Sequence, residues 1–224
     1  MDARIFKLSA LSEKTSLQTR YNSMLAGNAS YNPAAPTGRI RYYPGTVTSG
    51  NLVESVGSYN GTGTNISQVS GNKGNAVYFN GSAYVDLGFQ TNPTAITWAF
   101  WIKSYTSMVV NNISYYAYSM TDFPYQININ AADGKVNVIL SKGDDYTSDL
   151  TLNSATGIND GNWHFVAVTY TANTSCKIYV DGSLSNSSTI NFTLSTSTRN
   201  WFLGRDAYPY AGGSPGRFGT GTVS

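Results

Sequence analysis

One stretch, Asn159 to Ser183, confines this chain to a β-sheet fold more tightly than any other. It reads NDGNWHFVAVTYTANTSCKIYVDGS. From Cys176 to Val180 the residues alternate, with Cys176, Ile178 and Val180 on one face and Lys177 and Tyr179 on the other. A period of two is what a half-buried antiparallel strand requires. The run after Trp163 supplies the strand before it, the polar loop Thr171 to Thr174 joins the two, and Asp181-Gly182 turns the chain into a third.

Similar signals recur along the chain. In Gly74 to Gly88, strands at Ala76 to Phe79 and Tyr84 to Leu87 flank an Asn80-Gly81 pair of the kind favoured in tight turns. Thr94 to Lys103 sets Trp98, Phe100 and Ile102 against Thr97, Ala99, Trp101 and Lys103. Ile127 and Ile129, then Val136, Val138 and Leu140, lie around Asp133-Gly134, a two-residue hairpin signal. Leu150 and Leu152 lead to the Trp163 hairpin, and Ile190, Phe192 and Leu194 continue the sheet. Thr46 to Gly71 reads as one short strand followed by loops, and residues 104 to 126 as a ragged strand with long loops.

The Trp163-His164 pair, the Val166-Ala167-Val168-Thr169 strand and the Tyr179-Val180-Asp181-Gly182 turn resemble the signature hairpin of laminin-G-like, concanavalin A-like lectin/glucanase jelly rolls. Gly74-Asn75-Ala76, Phe79-Asn80-Gly81 and Tyr84 to Gly88 resemble a second family pattern, with Asn80 where the family most often has Asp. The aromatic strand from Thr94 to Lys103 matches a third. Spanning Leu52 to Ser224, the resemblance implies an all-β fold, an antiparallel β-sandwich of jelly-roll type. Family members close with a Phe, a Gly and a further apolar strand beside the first. Phe218, Gly219 and Val223 begin that pattern, so the expectation is a piece of a longer polypeptide whose domain lacks its last strand.

Residues 1–45 differ from the rest and read as an N-terminal arm, leaving 46–224 for the jelly roll. Within the arm, Leu17, Tyr21, Met24 and Leu25 share one face of a short helix that Gly27-Asn28 would stop. Ile5, Phe6, Leu8 and Leu11 are candidate apolar anchors to a larger assembly, the alternative being a loosely docked terminus. With 14 Lys and Arg against 12 Asp and Glu, the net charge of +2 gives no field for nucleic acid or an anionic membrane. No apolar run is long enough for membrane insertion, and the first residues lack the apolar stretch of a secretory signal. A protein assembled in a cytosol, or one whose signal has been removed, is expected. The single cysteine, Cys176, forbids an intrachain disulfide and reads as a small buried hydrophobe.

Glycoside hydrolysis needs two carboxyl groups about 5–10 Å apart, one held protonated. The glucanase branch that the resemblance points to carries Glu-x-Asp-x-x-Glu on one strand, whereas the glutamates here are Glu13 and Glu54, so no enzyme is expected. His164, the one histidine, reads as a strand residue hydrogen-bonded across the sheet, and one His with one Cys cannot make a zinc site. No cofactor is required. Calcium is the metal that loop oxygens suit, with Asp86, Asp122, Asp144, Asp145 and Asp206 as candidate ligands, although loop aspartates also serve turns.

Tyrosines in predicted loops are the remaining functional material. Tyr115, Tyr116, Tyr118, Tyr125, Tyr146, Tyr208 and Tyr210 could stack on sugars or serve protein contacts, or simply pack their loops. The resulting expectation is a non-catalytic virion-type fibre, spike or decoration protein of a bacteriophage. Its arm would meet other virion or assembly proteins, and its jelly roll a glycan or host cell surface, as a homo-oligomer on a virion or extracellular surface. The alternative is a secreted or cell-surface carbohydrate-binding module of a larger protein.

Overall fold

The computed structural model describes residues 41–55, 58–89, 94–105, 108–113, 124–130, 132–143, 150–195, 200–205 and 220–223. The chain divides into compact units at Ile40, and the structure below is that of Arg41–Ser224. The expected arm helix and the anchors Ile5, Phe6, Leu8 and Leu11 lie outside the described residues.

Among the described residues there are sixteen strands and no helix. One seven-stranded sheet orders Leu150–Gly157 (β11), Lys135–Leu140 (β10), Tyr125–Ile129 (β9), Met108–Ile113 (β8), Asn200–Leu203 (β15), Tyr84–Phe89 (β6) and Thr62–Thr64 (β3). The other, also seven-stranded, orders Ser183–Thr189 (β14), Ser175–Val180 (β13), Trp163–Thr171 (β12), Ala95–Lys103 (β7), Thr220–Val223 (β16), Gly74–Asn80 (β5) and Ser67–Gly71 (β4). Val47–Thr48 (β1) and Asn51–Leu52 (β2) make a short ribbon. The pairings are antiparallel, as a jelly-roll β-sandwich requires.

Alternation decides the core. Val85 and Leu87 of β6, Ile127 of β9 and Val138 of β10 join Trp98 and Ile102 of β7, Val166 and Val168 of β12 and Ile178 of β13 in one buried cluster. Each such side chain contributes about 1.5–3 kcal/mol when fully buried. The hairpin read from the sequence forms in the expected register, Val166 opposite Val180 and Tyr170 opposite Cys176. Its exit turn has Asp181 at φ 51° and Gly182 at φ 81°, two left-handed residues that match the strand twist.

Asn80-Gly81 makes the expected turn, with Asn80 Oδ1 accepting from the Ser82 backbone N–H at 3.0 Å, and it joins β5 to β6 of the other sheet as a corner between layers. Three other expectations need correction. Asp133-Gly134 closes a longer connection, in which Gly134 N–H donates to the Asn130 carbonyl and Asn130 N–H to that of Lys135. Thr46 to Gly71 holds four strands, not one. Ile190, Phe192 and Leu194 do not extend a sheet. They run as irregular chain over the end of the core, where Leu194 N–H donates to the Tyr170 hydroxyl at 2.9 Å. Val223, read as the start of a closing strand, lies in β16 opposite Val77 and Ile102.

Candidate functional site: a polar cleft beside Tyr59

Leu52 and Gly61 exchange both backbone hydrogen bonds, at 2.9 and 2.8 Å, and so close the base of a loop that presents Tyr59. Gly61 is required there because a Cβ would enter the side chains of Val85 and Leu87. Buried Glu54 fixes the loop from inside: its N–H donates to Asn60 Oδ1 at 3.0 Å, and its Oε1 accepts from Tyr42 N–H at 3.0 Å. The Tyr59 carbonyl accepts from Arg41 at 3.3 Å and from the Tyr43 hydroxyl at 3.0 Å. Burial raises the Tyr43 pKa, and Arg41 offsets part of that rise.

The ring thus held is 64% exposed, with the Arg41 guanidinium 3.9 Å from its centre. Beside it opens a cleft of about 450 Å³, lined among others by Arg41, Asn60, Thr62, Asp86 and Asn200. Asp86 Oδ1 accepts from Gly88 N–H at 2.8 Å and Oδ2 from Asn200 Nδ2 at 3.0 Å. Among the described residues, the Asn60 amide nitrogen and the Asn200 amide oxygen have no hydrogen-bond partner. A flat ring beside fixed donors and acceptors suits a molecule with an apolar face and many hydroxyls.

Tyr125, expected in a loop, is a fully buried core residue of β9, its ring 4.5 Å from that of Trp98 and 5.5 Å from that of Trp201. It continues the inward alternation of Ile127 and Ile129 and cannot meet a ligand. Burial pushes its hydroxyl well above the usual range. Tyr115, Tyr116, Tyr118, Tyr146, Tyr208 and Tyr210, with Asp122, Asp144, Asp145 and Asp206, lie outside the described residues. Of the calcium candidates Asp86 is described, and among the described residues no group of three or more His, Cys, Asp or Glu could hold a metal. Sequence reasoning passed over Tyr59, although Ser58-Tyr59-Asn60-Gly61 sets an aromatic among turn formers.

The ionisable cluster at His164 is a staple. Its Nδ1 meets Asp181 Oδ2 at 2.8 Å and its Nε2 meets Asp160 Oδ1 at 3.0 Å, while Asp181 Oδ1 accepts from Phe165 N–H at 2.9 Å. Burial opposes charge on the ring, but the bonds to Asp181 and Asp160 prevail and raise its pKa. Asp160 is held down to about 2, first by the Asn162 backbone N–H, then by the Asn162 side chain and His164. With both nitrogens committed, the imidazole is not poised as a general base. Cys176 is fully buried, and burial pushes its thiol up to about 12.

A family model for the concanavalin A-like lectin/glucanases superfamily matches residues 79–222. No curated protein matches in sequence. Among solved structures, domain 4 of AbnA, an extracellular arabinanase from Geobacillus stearothermophilus solved with arabinotriose, is 17% identical with a TM-score of 0.52. That match covers 76% of this chain and 84% of the other. The binding domain of Paraclostridial Mosquitocidal Protein 1 is 12% identical over 82% of this chain and 46% of its own, with a TM-score of 0.58. A botulinum neurotoxin type C structure, concerned with interaction with two ganglioside molecules, is 15% identical over 82% and 47%, with a TM-score of 0.54. The chain spans about half the length of these toxin chains. At such identities the likeness is one of fold.

Proposed function

The chain belongs to the concanavalin A-like lectin/glucanase superfamily, and from that premise we propose that it is a non-catalytic glycan-binding module with its ligand in the Tyr59 cleft. The observation that carries this reading is the exposed Tyr59 ring beside the fixed amides of Asn60 and Asn200 and the carboxylate of Asp86. The structural neighbours support it, since they include a toxin binding domain, a neurotoxin that interacts with gangliosides and an arabinanase domain in complex with arabinotriose. The cleft also holds a single carboxylate, Asp86, among its lining residues, where hydrolysis would need a pair. A glycan array run with wild type and Tyr59→Ala, each with calcium and with chelator, tests it. Signals that Tyr59→Ala abolishes are expected, and an array silent under both conditions sinks the reading.

The finer role is attachment of a virion-type fibre, spike or decoration protein to a glycan-bearing host surface. It draws support from the apolar residues Ile5, Phe6, Leu8 and Leu11 ahead of a glycan-binding fold. Removing residues 1–40 leaves the sandwich sequence intact; if the remainder assembles into the same complex as the full chain, the arm has no docking role.

A further inference from the structure

The outward face of the second sheet carries large rings where a solvated face is ordinarily polar. By register, β7 and β12 set Lys103 opposite Trp163, Trp101 opposite Phe165, Ala99 opposite Ala167 and Thr97 opposite Thr169. On β13, Tyr179 lies opposite Ala167 and Lys177 opposite Thr169, and Leu184 of β14 pairs with Tyr179. Trp101, Trp163, Phe165 and Tyr179 are half-buried, yet none belongs to the core or packs against it. The Trp101 and Phe165 rings stand 5.4 Å apart, tilted by 54°, and Leu184 is 47% exposed. Contiguous apolar patches of this kind mark binding surfaces.

Among the described residues, the outward positions of β7, β12 and β13 carry charge of one sign. Lys103 and Lys177 stand at opposite ends of the patch, about 20 Å apart from the strand rise and spacing. Neither has an ion-pair partner among the described residues. The outward positions of β7, β12 and β13 carry no carboxylate, and Asp181, at the end of β13, is committed to His164 and the Phe165 N–H. A ligand complementary to this face is long, has apolar faces that stack on rings, and bears negative charge at intervals.

We propose that this face is a second binding surface, on the other sheet from the Tyr59 cleft, for an extended anionic polysaccharide. Its sugar rings lie against Trp101, Phe165 and Tyr179, and Lys103 and Lys177 take its acidic groups. The full chain is tested by isothermal calorimetry against polygalacturonate and against neutral dextran. Wild type binds polygalacturonate and not dextran. The double variant Trp101→Ala/Phe165→Ala, still folded by circular dichroism, binds at least about tenfold more weakly, as loss of central aromatic contacts does. Tyr59→Ala binds as wild type, so failure of the cleft reading leaves this result standing. Lys103→Gln/Lys177→Gln weakens binding at low ionic strength and loses that difference near 1 M salt, where surface charges are screened. If the aromatic double variant does not fold, Tyr179→Ala and the lysine pair carry the same test. Absence of polygalacturonate binding, equal binding of dextran, or a folded aromatic variant that binds as wild type overturns the proposal. So does a wild-type dimer that the aromatic variant dissociates, since the occupant is then a second copy of the chain.

Discussion

Asp181→Asn separates two tasks that one side chain performs. Asparagine tolerates the left-handed φ of 51°, and its amide oxygen can still accept the Phe165 N–H that Oδ1 now receives at 2.9 Å. What disappears is the negative charge 2.8 Å from His164 Nδ1. In wild type the folded-state pKa of His164 is raised. The stability it contributes is therefore fully present below the unfolded value of about 6.5 and is lost as pH rises through the folded value. Asp160 works in the opposite sense, its contribution being lost only as pH falls through about 2, far below this window. The His164 and Asp181 side chains are 17% and 51% exposed, so solvent screens the pair. A charge-assisted bond worth about 1.5–3 kcal/mol in shelter is expected to contribute about 1 kcal/mol here. That is roughly 2–4 °C of melting temperature for a domain of this size. Urea and thermal unfolding of wild type and Asp181→Asn at pH 5.5 and pH 9 measure it. Wild type should be the more stable at pH 5.5, with the gap closing by pH 9. A gap of equal size at both pH values would show that the ion pair contributes nothing and that the reasoning is wrong.

Other expectations are independent of that pair. Gly182→Ala places a methyl in open space at φ 81° and should cost about 1–2 kcal/mol from backbone conformation alone. Gly204→Ala, at φ 83°, also drives a methyl into the Phe79 ring and should cost about 2–4 kcal/mol; urea midpoints that rank the two the other way would refute the comparison. Cys176 should resist a thiol reagent at pH 8 in the native protein and react fully in urea, with mass spectrometry as the readout. Tyr59→Ala should change the unfolding midpoint by no more than about 0.5 kcal/mol in equivalent stability, as for other exposed sites, while abolishing array signals assigned to the cleft.

The parts of this fold legible in the sequence are those whose determinants are local. The hairpin of β12 and β13 announces itself because its inward residues alternate over a long run and its exit turn has the Asp-Gly chemistry that left-handed residues demand. Asn80-Gly81 has turn chemistry too, but a turn does not say whether the strands it joins lie in one sheet or two. That is decided by the partners β4 and β16 on one side and β3 and β15 on the other. Edge strand β4, Ser67–Gly71, is largely exposed, so no apolar pattern marks it. Tyr125 did carry a signal, since Tyr125, Ile127 and Ile129 keep the period of two; composition alone made it look like one loop tyrosine among many.

The cleft was not legible for a different reason. Asp86 and Asn200, which fix one wall, are separated by 114 positions and meet because β6 and β15 are neighbours in the sheet. The opposite wall depends on Glu54, whose carboxylate receives the Tyr42 N–H and whose N–H donates to Asn60 Oδ1. The same pattern holds at His164, where two aspartates grip one imidazole and leave neither ring nitrogen free. Acid catalysis would need a carboxyl group kept protonated in an apolar site. Asp160 is instead held ionised, with its pKa near 2. The described carboxylates at these sites hold backbone in place, Asp86 the Gly88 N–H, Glu54 the Tyr42 N–H and Asp181 the Phe165 N–H.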